Sequence, residues 1–418
     1  MARCPRPPLA SRKRSLVERA NLFAIPYQKM RDVYLDHAAT TPLDPDVLAA
    51  MRPHLTEHFG NPSSPHERGR QASVALEGAR ETVARCIGAE PSEIIFTSGG
   101  TEADNLALRG VLRDAQGTKR GARLVTSAAE HKAVLESAEA FAEEGGAVQV
   151  LTPGEEGAVR PEHVAGALTD DTALVSLMQV NNEVGTRTDV ARVAEICHDH
   201  GTLLHTDAVQ AAPRLDVEDT GVDLASLSAH KVYGPKGIGA LYVRNGVELA
   251  PLVRGGSQER ARRGGTQNVA AAVGMAEALA RATEATEERA AHLRGLQKRL
   301  AGQLRDVFGG HIRLNTPLDG ETAAPHILSV SFPPGGNDPT PLDGEMLLLN
   351  LDVEGVRASA GSACTSGALE PSHVLQAMGL PRETAAATVR FSFGKGTTEE
   401  EIDHAADALE AVVGRMRS

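Results

Sequence analysis

Residues 223–244 read DLASLSAHKVYGPKGIGALYVR, two short apolar runs joined by a lysine-bearing turn rich in glycine and proline. Apolar runs of this length bounded by turn residues predict buried strands. Four more lie upstream: EIIFTSG (93–99), ARLVTSA (122–128), TALVSLMQV (172–180) and TLLHTDAVQ (202–210), with helical periodicity between them. Strands alternating with helices from about residue 73 predict an α/β domain on a largely parallel sheet. Ligands of such sheets bind beyond the carboxyl ends of the strands. Each run here ends in polar residues, so those ends are where chemistry is expected.

In FTSGGTEADN (96–105) a strand runs through glycines into a helical pattern, placing backbone N–H groups of a helix start at the strand end, a site for an anion. The plainer alternative is an ordinary helix start, with Thr101 as N-cap and Asp104 in the first turn. HTDAVQ puts Asp207 and Gln210 beyond a second strand, and SAHK puts Ser228, His230 and Lys231 beyond a third. An anion site, a carboxylate and a lysine at neighbouring strand ends are the parts a pyridoxal phosphate enzyme needs. The helix start takes the phosphate, the acid keeps the pyridine nitrogen protonated, and the lysine carries the cofactor as an imine. Lys236 competes for that last role, but it lies inside a Gly/Pro turn, whereas Lys231 follows the strand and can be aimed rigidly.

Downstream of RRGGTQN (262–268), Val269 to about Val307 reads as one long helix connecting two domains. HILSVSF (326–332) and ATVRFSF (387–393) predict strands of a smaller α+β unit, with PPGGNDPTP (333–341) as a loop between them. With 418 residues, 41% hydrophobic and 23% charged, the chain has the composition of a soluble globular protein of two domains. A formal charge of −12, 3% aromatic residues and no Trp argue against binding nucleic acid. No apolar run is long enough to span a bilayer. The four cysteines, Cys4, Cys86, Cys197 and Cys364, form no CxxC pair, which fits a reducing, cytoplasmic setting and disfavours a zinc site. Cys86 and Cys197 lie in helical contexts and read as packing residues; Cys364 lies among small residues in GSACTSG (361–367). The Arg-rich residues 1–29 are expected to be a disordered leader or an upstream start, a transit peptide being the alternative.

YLDHAATTP, FGNPSSPH, FTSGGTEADN, EHKAV, VNNEVG, HTDAVQ, SAHKVYGPKGIG, RGGTQN, GSACTSG and VRFSFG occur in this order from about Val33 onward. In this series the chain resembles the pyridoxal phosphate-dependent cysteine desulfurases of the class V aminotransferase superfamily. The resemblance implies fold type I: a large domain with a mostly parallel seven-stranded sheet (46–288), and a smaller α+β domain (30–45 and 289–418) carrying the Cys364 loop. It implies that Lys231 carries the cofactor, Asp207 pairs with the ring nitrogen, Gln210 meets the ring oxygen and His131 stacks on the ring. Gly100, Thr101, Ser228 and His230 would hold the phosphate, with Thr266 reaching in from the other subunit of a homodimer. Asn182 would contact cofactor or substrate, Arg390 the substrate carboxylate, and Asn61 the substrate side. For His131 a helix-start histidine bonded to backbone, and for Arg390 a strand arginine paired with a surface acid, are the structural alternatives.

The activity so implied converts L-cysteine to L-alanine and leaves the sulfur as a persulfide on Cys364. The acceptors it admits are an iron–sulfur scaffold protein or a tRNA-, DNA- or thio-cofactor thiolation enzyme. The closing stretch EIDHAADALEAVVGRMRS is shorter than the tail with which housekeeping members dock a scaffold, which leaves room for a specialised acceptor. No resident metal is expected, although Cys364 could hold an iron–sulfur cluster transiently. Selenocysteine lyase, or another class V lyase or aminotransferase, is the alternative activity.

Overall fold

The structure, a computed structural model, describes residues 32–114, 117–118, 122–319, 322–335, 341–361 and 370–417. The expected leader and Cys364 itself lie outside the described residues. Seven strands form one sheet in the order Ile94–Thr97, Gly239–Val243, Leu224–Ser228, Leu203–Asp207, Thr172–Ser176, Arg123–Ser127 and Ala147–Leu151. Gly239–Val243 runs antiparallel to both its neighbours and the remaining pairs are parallel. Leu224–Ser228 is buried along its whole length and Thr172–Ser176 at all but Ala173 because helices cover both faces, so they appear in the sequence as short runs rich in apolar and small residues. Ala147–Leu151 is the strand those runs omit. It lies at the sheet edge with Val150 half exposed, and an edge strand needs no continuous apolar signal.

Helices Gly100–Leu112 and Lys132–Glu143 cover one face through Leu106, Leu108, Val134 and Phe141. Glu67–Cys86, Val190–His200 and Val269–Glu284 cover the other through Leu76, Val83, Val193 and Met275. Cys197 belongs to this second core, where burial pushes its thiol up to about 12; Cys86 is partly buried and shifted in the same direction by the same cause. Neither is poised as a nucleophile, which must be a thiolate.

The single helix expected over Val269–Val307 is two. Val269–Glu284 and Thr286–Phe308 are separated at Ala285, whose φ and ψ are −105° and 17°. Packing explains the break. The first helix buries Met275 and Leu279 against the large sheet, whereas the second turns Leu293, Leu296, Leu300 and Leu304 into a separate core with Phe332, Phe391 and Phe393. Truncating a fully buried leucine such as Leu300 typically costs about 2–5 kcal/mol. That second core is roofed by a three-stranded antiparallel sheet, Arg313–Leu314, Ile327–Ser331 and Thr388–Ser392. Val33–Tyr34 joins the same unit by pairing with Val356–Arg357. The chain after Tyr34 then crosses to the carboxyl edge of the large sheet.

A buried ion pair fixes one rim of that edge. The Arg80 guanidinium donates to both carboxylate oxygens of Glu259, at 2.7 and 2.9 Å, and Glu259 also accepts from the Phe96 backbone N–H at 3.0 Å. Glu259, Arg260 and Ala261 all have φ between 46° and 62°, a left-handed run costly for side chains with a Cβ. The ion pair holds this turn, and the turn presents the RGGTQN segment. Removing Arg80 would leave a buried carboxylate unpaired, a loss of roughly 3–5 kcal/mol.

Candidate active site

Thr97, Ser127, Ser176, Asp207 and Ser228 end their strands on one side of the sheet, and a cavity of about 490 Å³ lies over that edge. Ten of the residues singled out in the sequence line it: Gly100, Thr101, His131, Asn182, Asp207, Gln210, Ser228, His230, Lys231 and Arg390. Lys231 ends a short 3-10 turn, Ala229–Lys231, directly after strand Leu224–Ser228. Its Nζ donates to the carbonyls of Ala38 (2.6 Å) and Ala39 (2.9 Å). Burial, then the Arg390 charge, lowers its ammonium to about 8, with Asp207 and Asp36 acting in opposition. An amine so placed can carry a proton or release it near neutral pH.

Asp207 is buried at the end of its strand and accepts from the Val209 N–H at 2.9 Å. Burial raises its carboxyl, while His131, the Val209 N–H and Lys231 pull the other way. Gln210 donates to the Ala38 carbonyl at 2.8 Å, so Gln210 and Lys231 together clamp the Asp36–Thr41 segment across the site. His131 caps helix Lys132–Glu143, its Nδ1 accepting from the Ala133 N–H at 3.1 Å. The helix-start role and the place on the cavity wall are thus both observed.

The end of the cavity at Gly100 is shaped for an anion. Helix Gly100–Leu112 starts at Gly100 with Gly99 in the capping position, so Thr101 is not the N-cap. A Cβ on Gly100 would lie 2.8 Å from Val209 Cγ2, and the wall there stays bare backbone. Opposite it the Ser228 hydroxyl is buried with no hydrogen-bond partner. His230 Nδ1 lies 3.2 Å from Thr40 Oγ1, and burial followed by Lys231 and Lys236 lowers this ring to about 4. A helix N-terminus, an unsatisfied hydroxyl and a glycine that admits close approach fit a phosphate group.

At the opposite end Arg390 is buried in strand Thr388–Ser392. It pairs with Asp36 Oδ1 at 2.8 Å and donates to the Asn182 carbonyl at 2.7 Å, while its Nε–H has no partner. The pairing of Arg390 with an acid, the structural alternative, is therefore real, and its Nη1 also donates to the Gly361 carbonyl at 3.2 Å. Asn61 and Thr266 are not among the lining residues. Asn61 is exposed, with its side chain accepting from the Ser63 N–H, and Thr266 is exposed on the turn held by Glu259.

A family model described as aminotransferase class-V matches residues 33–404. Cysteine desulfurase IscS of Dictyoglomus turgidum is 44% identical over 398 residues, which cover 93% of this chain and 96% of that protein. The chain belongs to the cysteine desulfurase family of class-V aminotransferases. Among solved structures, a NifS-like protein superposes with a TM-score of 0.83 at 39% identity, covering 92% of this chain and all of the other. SspA in complex with cysteine superposes with a TM-score of 0.74 at 34% identity, covering 88% of this chain and all of SspA.

Several residues in this class-V site escaped sequence reasoning. Asp104, read there as a first-turn acid of a helix start, is the fifth residue of its helix and faces inward, buried beside Asp207 in the cavity floor. Its Oδ1 has no hydrogen-bond partner and lies 3.7 Å from His205 Nε2. Burial, then the Asp207 charge, raises its carboxyl well above the ordinary range. His205 is clasped between Ser176 Oγ (2.9 Å) and Ser226 Oγ (3.0 Å), and burial lowers its ring to about 3. The alternation of LLHTD was the available signal: His205 and Asp207 share one face of the strand. Glu183 is also buried on the wall, and the Ser372 hydroxyl donates to it. Gly361 packs against Glu183 with φ of 98°, and a Cβ there would come within 2.8 Å of the Glu183 carboxylate. Only glycine fits that place.

Proposed function

We propose that this enzyme removes sulfur from L-cysteine with pyridoxal 5'-phosphate as cofactor, holds the sulfur as a persulfide on Cys364, releases L-alanine and passes the sulfur to an acceptor protein. The observation that carries the reading is where the Cys364 segment begins and ends. Ser359 and Gly361 line the cavity on one side of it and His373 on the other, and His373 Nε2 lies 2.8 Å from the Glu130 carbonyl. Cys364 follows Gly361 by three residues, a span of at most about 11 Å. A thiol so tethered can enter a cavity that also holds Lys231 and Arg390.

The residues fit the cofactor as described: Gly100, Thr101, Ser228 and His230 for its phosphate, Asp207 for its ring nitrogen, Gln210 for its ring oxygen, His131 for its face and Lys231 for its aldehyde carbon. When bound, the cofactor supplies an electron sink for negative charge at the substrate Cα. Arg390 binds the substrate carboxylate through its guanidinium, with Asp36 keeping the guanidinium plane fixed. Asn182, whose carbonyl holds Arg390, flanks the same carboxylate. Lys231, with an amine near neutrality, takes the Cα proton and returns a proton to the carbon skeleton. The Cys364 thiolate attacks the substrate sulfur. One S–S bond forms, the Cβ–S bond breaks, and its electron pair stays on the three-carbon fragment, which is protonated to alanine. No external oxidant or reductant is required.

A homodimer would bring Thr266 of the second copy to the phosphate. Exposed Leu48 and Leu55 on helix Pro45–Thr56, Phe59 in the loop that follows it and Val74 on helix Glu67–Cys86 give that copy an apolar face to cover. Asn61, in the loop between these helices, would reach substrate only from such a neighbour. The acceptor is an iron–sulfur scaffold or a thiolation enzyme. Among the described residues no helix is long and apolar enough to cross a membrane.

The test is Cys364→Ser in the holoenzyme given L-cysteine labelled with radioactive sulfur. No label should stay on the protein or reach an acceptor, while the cofactor absorbance is retained. Labelled persulfide surviving the substitution would remove Cys364 from the mechanism.

A further inference from the structure

Behind Lys231 and Gln210 lies a second cavity of about 260 Å³, separate from the one over the strand ends. It shares Val180, Val209, Gln210 and Lys231 as a common wall. Arg187, Arg214 and Arg289 also line it, and among the described residues no Asp or Glu does. The three arginines come from different parts of the chain. Arg187 pairs with Val180 in an isolated antiparallel bridge, Arg214 follows the turn after strand Leu203–Asp207, and Arg289 lies on helix Thr286–Phe308. Their convergence is a product of the fold.

The charge is only partly answered. Arg214 meets Glu287 at 2.9 Å, but that glutamate is almost fully exposed and lies on the solvent side. Arg289 rests over the Tyr233 ring, 5.7 Å from its centroid. Among the described residues no carboxylate forms an ion pair with Arg187, which is partly buried and feels the like charges of Arg214 and Arg294, offset in part by the more distant, exposed Glu287. Arginines crowded in a partly closed space with no acid on the wall raise the local affinity for an anion. The remaining wall is largely apolar, including Leu293, Ala324 and Phe393. A bare inorganic anion would leave that surface unused, whereas a short carbon chain would cover it.

We propose that this second cavity is a binding site for a small aliphatic carboxylate, held by Arg187 and Arg289 with its carbon chain against Leu293 and Phe393. The site stands on geometry apart from the cysteine-cleaving reading. Because Lys231 and Gln210 face both cavities, occupancy here presses on the groups that would hold the cofactor.

The experiment is calorimetric titration of the holoenzyme with sodium propionate, with inorganic phosphate as a parallel arm at matched ionic strength. Saturable propionate binding is expected, weakened at least about tenfold in Arg187→Gln and in Arg289→Gln, each variant checked for unchanged melting temperature and cofactor absorbance. Two substitutions on different elements keep the test open if one of them fails to fold. Arg390→Gln, which alters only the other cavity, should leave propionate affinity within about twofold. Absence of saturable propionate binding, as when a second copy of the chain fills the cavity, overturns the proposal. So does binding lost in Arg390→Gln but kept in Arg187→Gln, and so does phosphate binding where propionate fails.

Discussion

The two cavities on either side of Lys231 differ in how their charge is balanced. The cavity over the strand ends is walled by both signs: Asp36, Asp104, Glu183 and Asp207 face Lys132, Lys231 and Arg390. The one behind it has arginines and Lys231 and, among the described residues, no acid. A balanced wall suits a zwitterionic amino acid, whose ammonium and carboxylate each find a partner without leaving a buried charge exposed. An unbalanced wall remains costly until an anion arrives. The same fold thus places a site that is electrostatically complete beside one that is not, and Lys231 is the only charged residue common to both.

The largest effect should come from that shared residue. Lys231→Ala removes from the first cavity the amine proposed to carry the proton and from the second one cation. Alanine formation from L-cysteine should fall by at least about 10²–10⁴-fold, the usual worth of a positioned acid–base group. Propionate affinity should fall too, by a much smaller factor. Turnover within tenfold of the unaltered enzyme would remove Lys231 from the chemistry and leave the two cavities functionally unlinked. Arg390→Lys sharpens the contrast because it touches one cavity only. A lysine is a single point charge that cannot hold Asp36, the Asn182 carbonyl and a substrate carboxylate at once. KM for L-cysteine should rise roughly 10–100-fold with a smaller change in kcat, as expected for lost ground-state binding. Steady-state kinetics separate the two parameters, and an unchanged KM would deny Arg390 the carboxylate.

The balanced cavity was the more legible of the two in the sequence. Its polar residues end short buried strands rich in apolar residues, as in TLLHTDAVQ and DLASLSAHK, and those ends mark the functional edge. What escaped was whatever depended on packing between distant segments. Asp104 reads as a helix-start acid until the helix is laid over His205. The break at Ala285 carries no Gly or Pro and follows from two helices serving two cores. Arg187, Arg214 and Arg289 lie in no shared motif, and only the meeting of sheet and smaller unit brings them to one wall. Ala147–Leu151 was passed over for the opposite reason, since an exposed edge weakens the apolar signal of a strand.

The smallest expected effect probes how the balanced wall stores its negative charge. Asp104 has a folded-state proton affinity raised by burial and by Asp207, so over the range above its ordinary value of 3.8 the folded protein holds a proton that the unfolded chain has released. Stability contributed by this group therefore declines as pH rises through that range, and its penalty is fully present only once pH exceeds the raised folded value. Asp104→Asn keeps the shape and removes the penalty. In the cofactor-free enzyme, denaturant unfolding near pH 8 should show the variant as stable as the parent or more so, by up to roughly 1–3 kcal/mol, the cost of a buried carboxyl oxygen without a partner. The difference should narrow as pH falls toward 4 and close below it, once pH passes under the unfolded value of 3.8 and the unfolded carboxyl is itself protonated. His205 titrates in the opposite sense: its lowered folded value makes both proteins less stable as pH drops below about 6.5, and that shared loss cancels in the comparison. A variant less stable at pH 8 than at pH 4, relative to the parent, would mean that Asp104 is held as a charged partner of the floor and that the balance of this cavity rests on a different carboxylate.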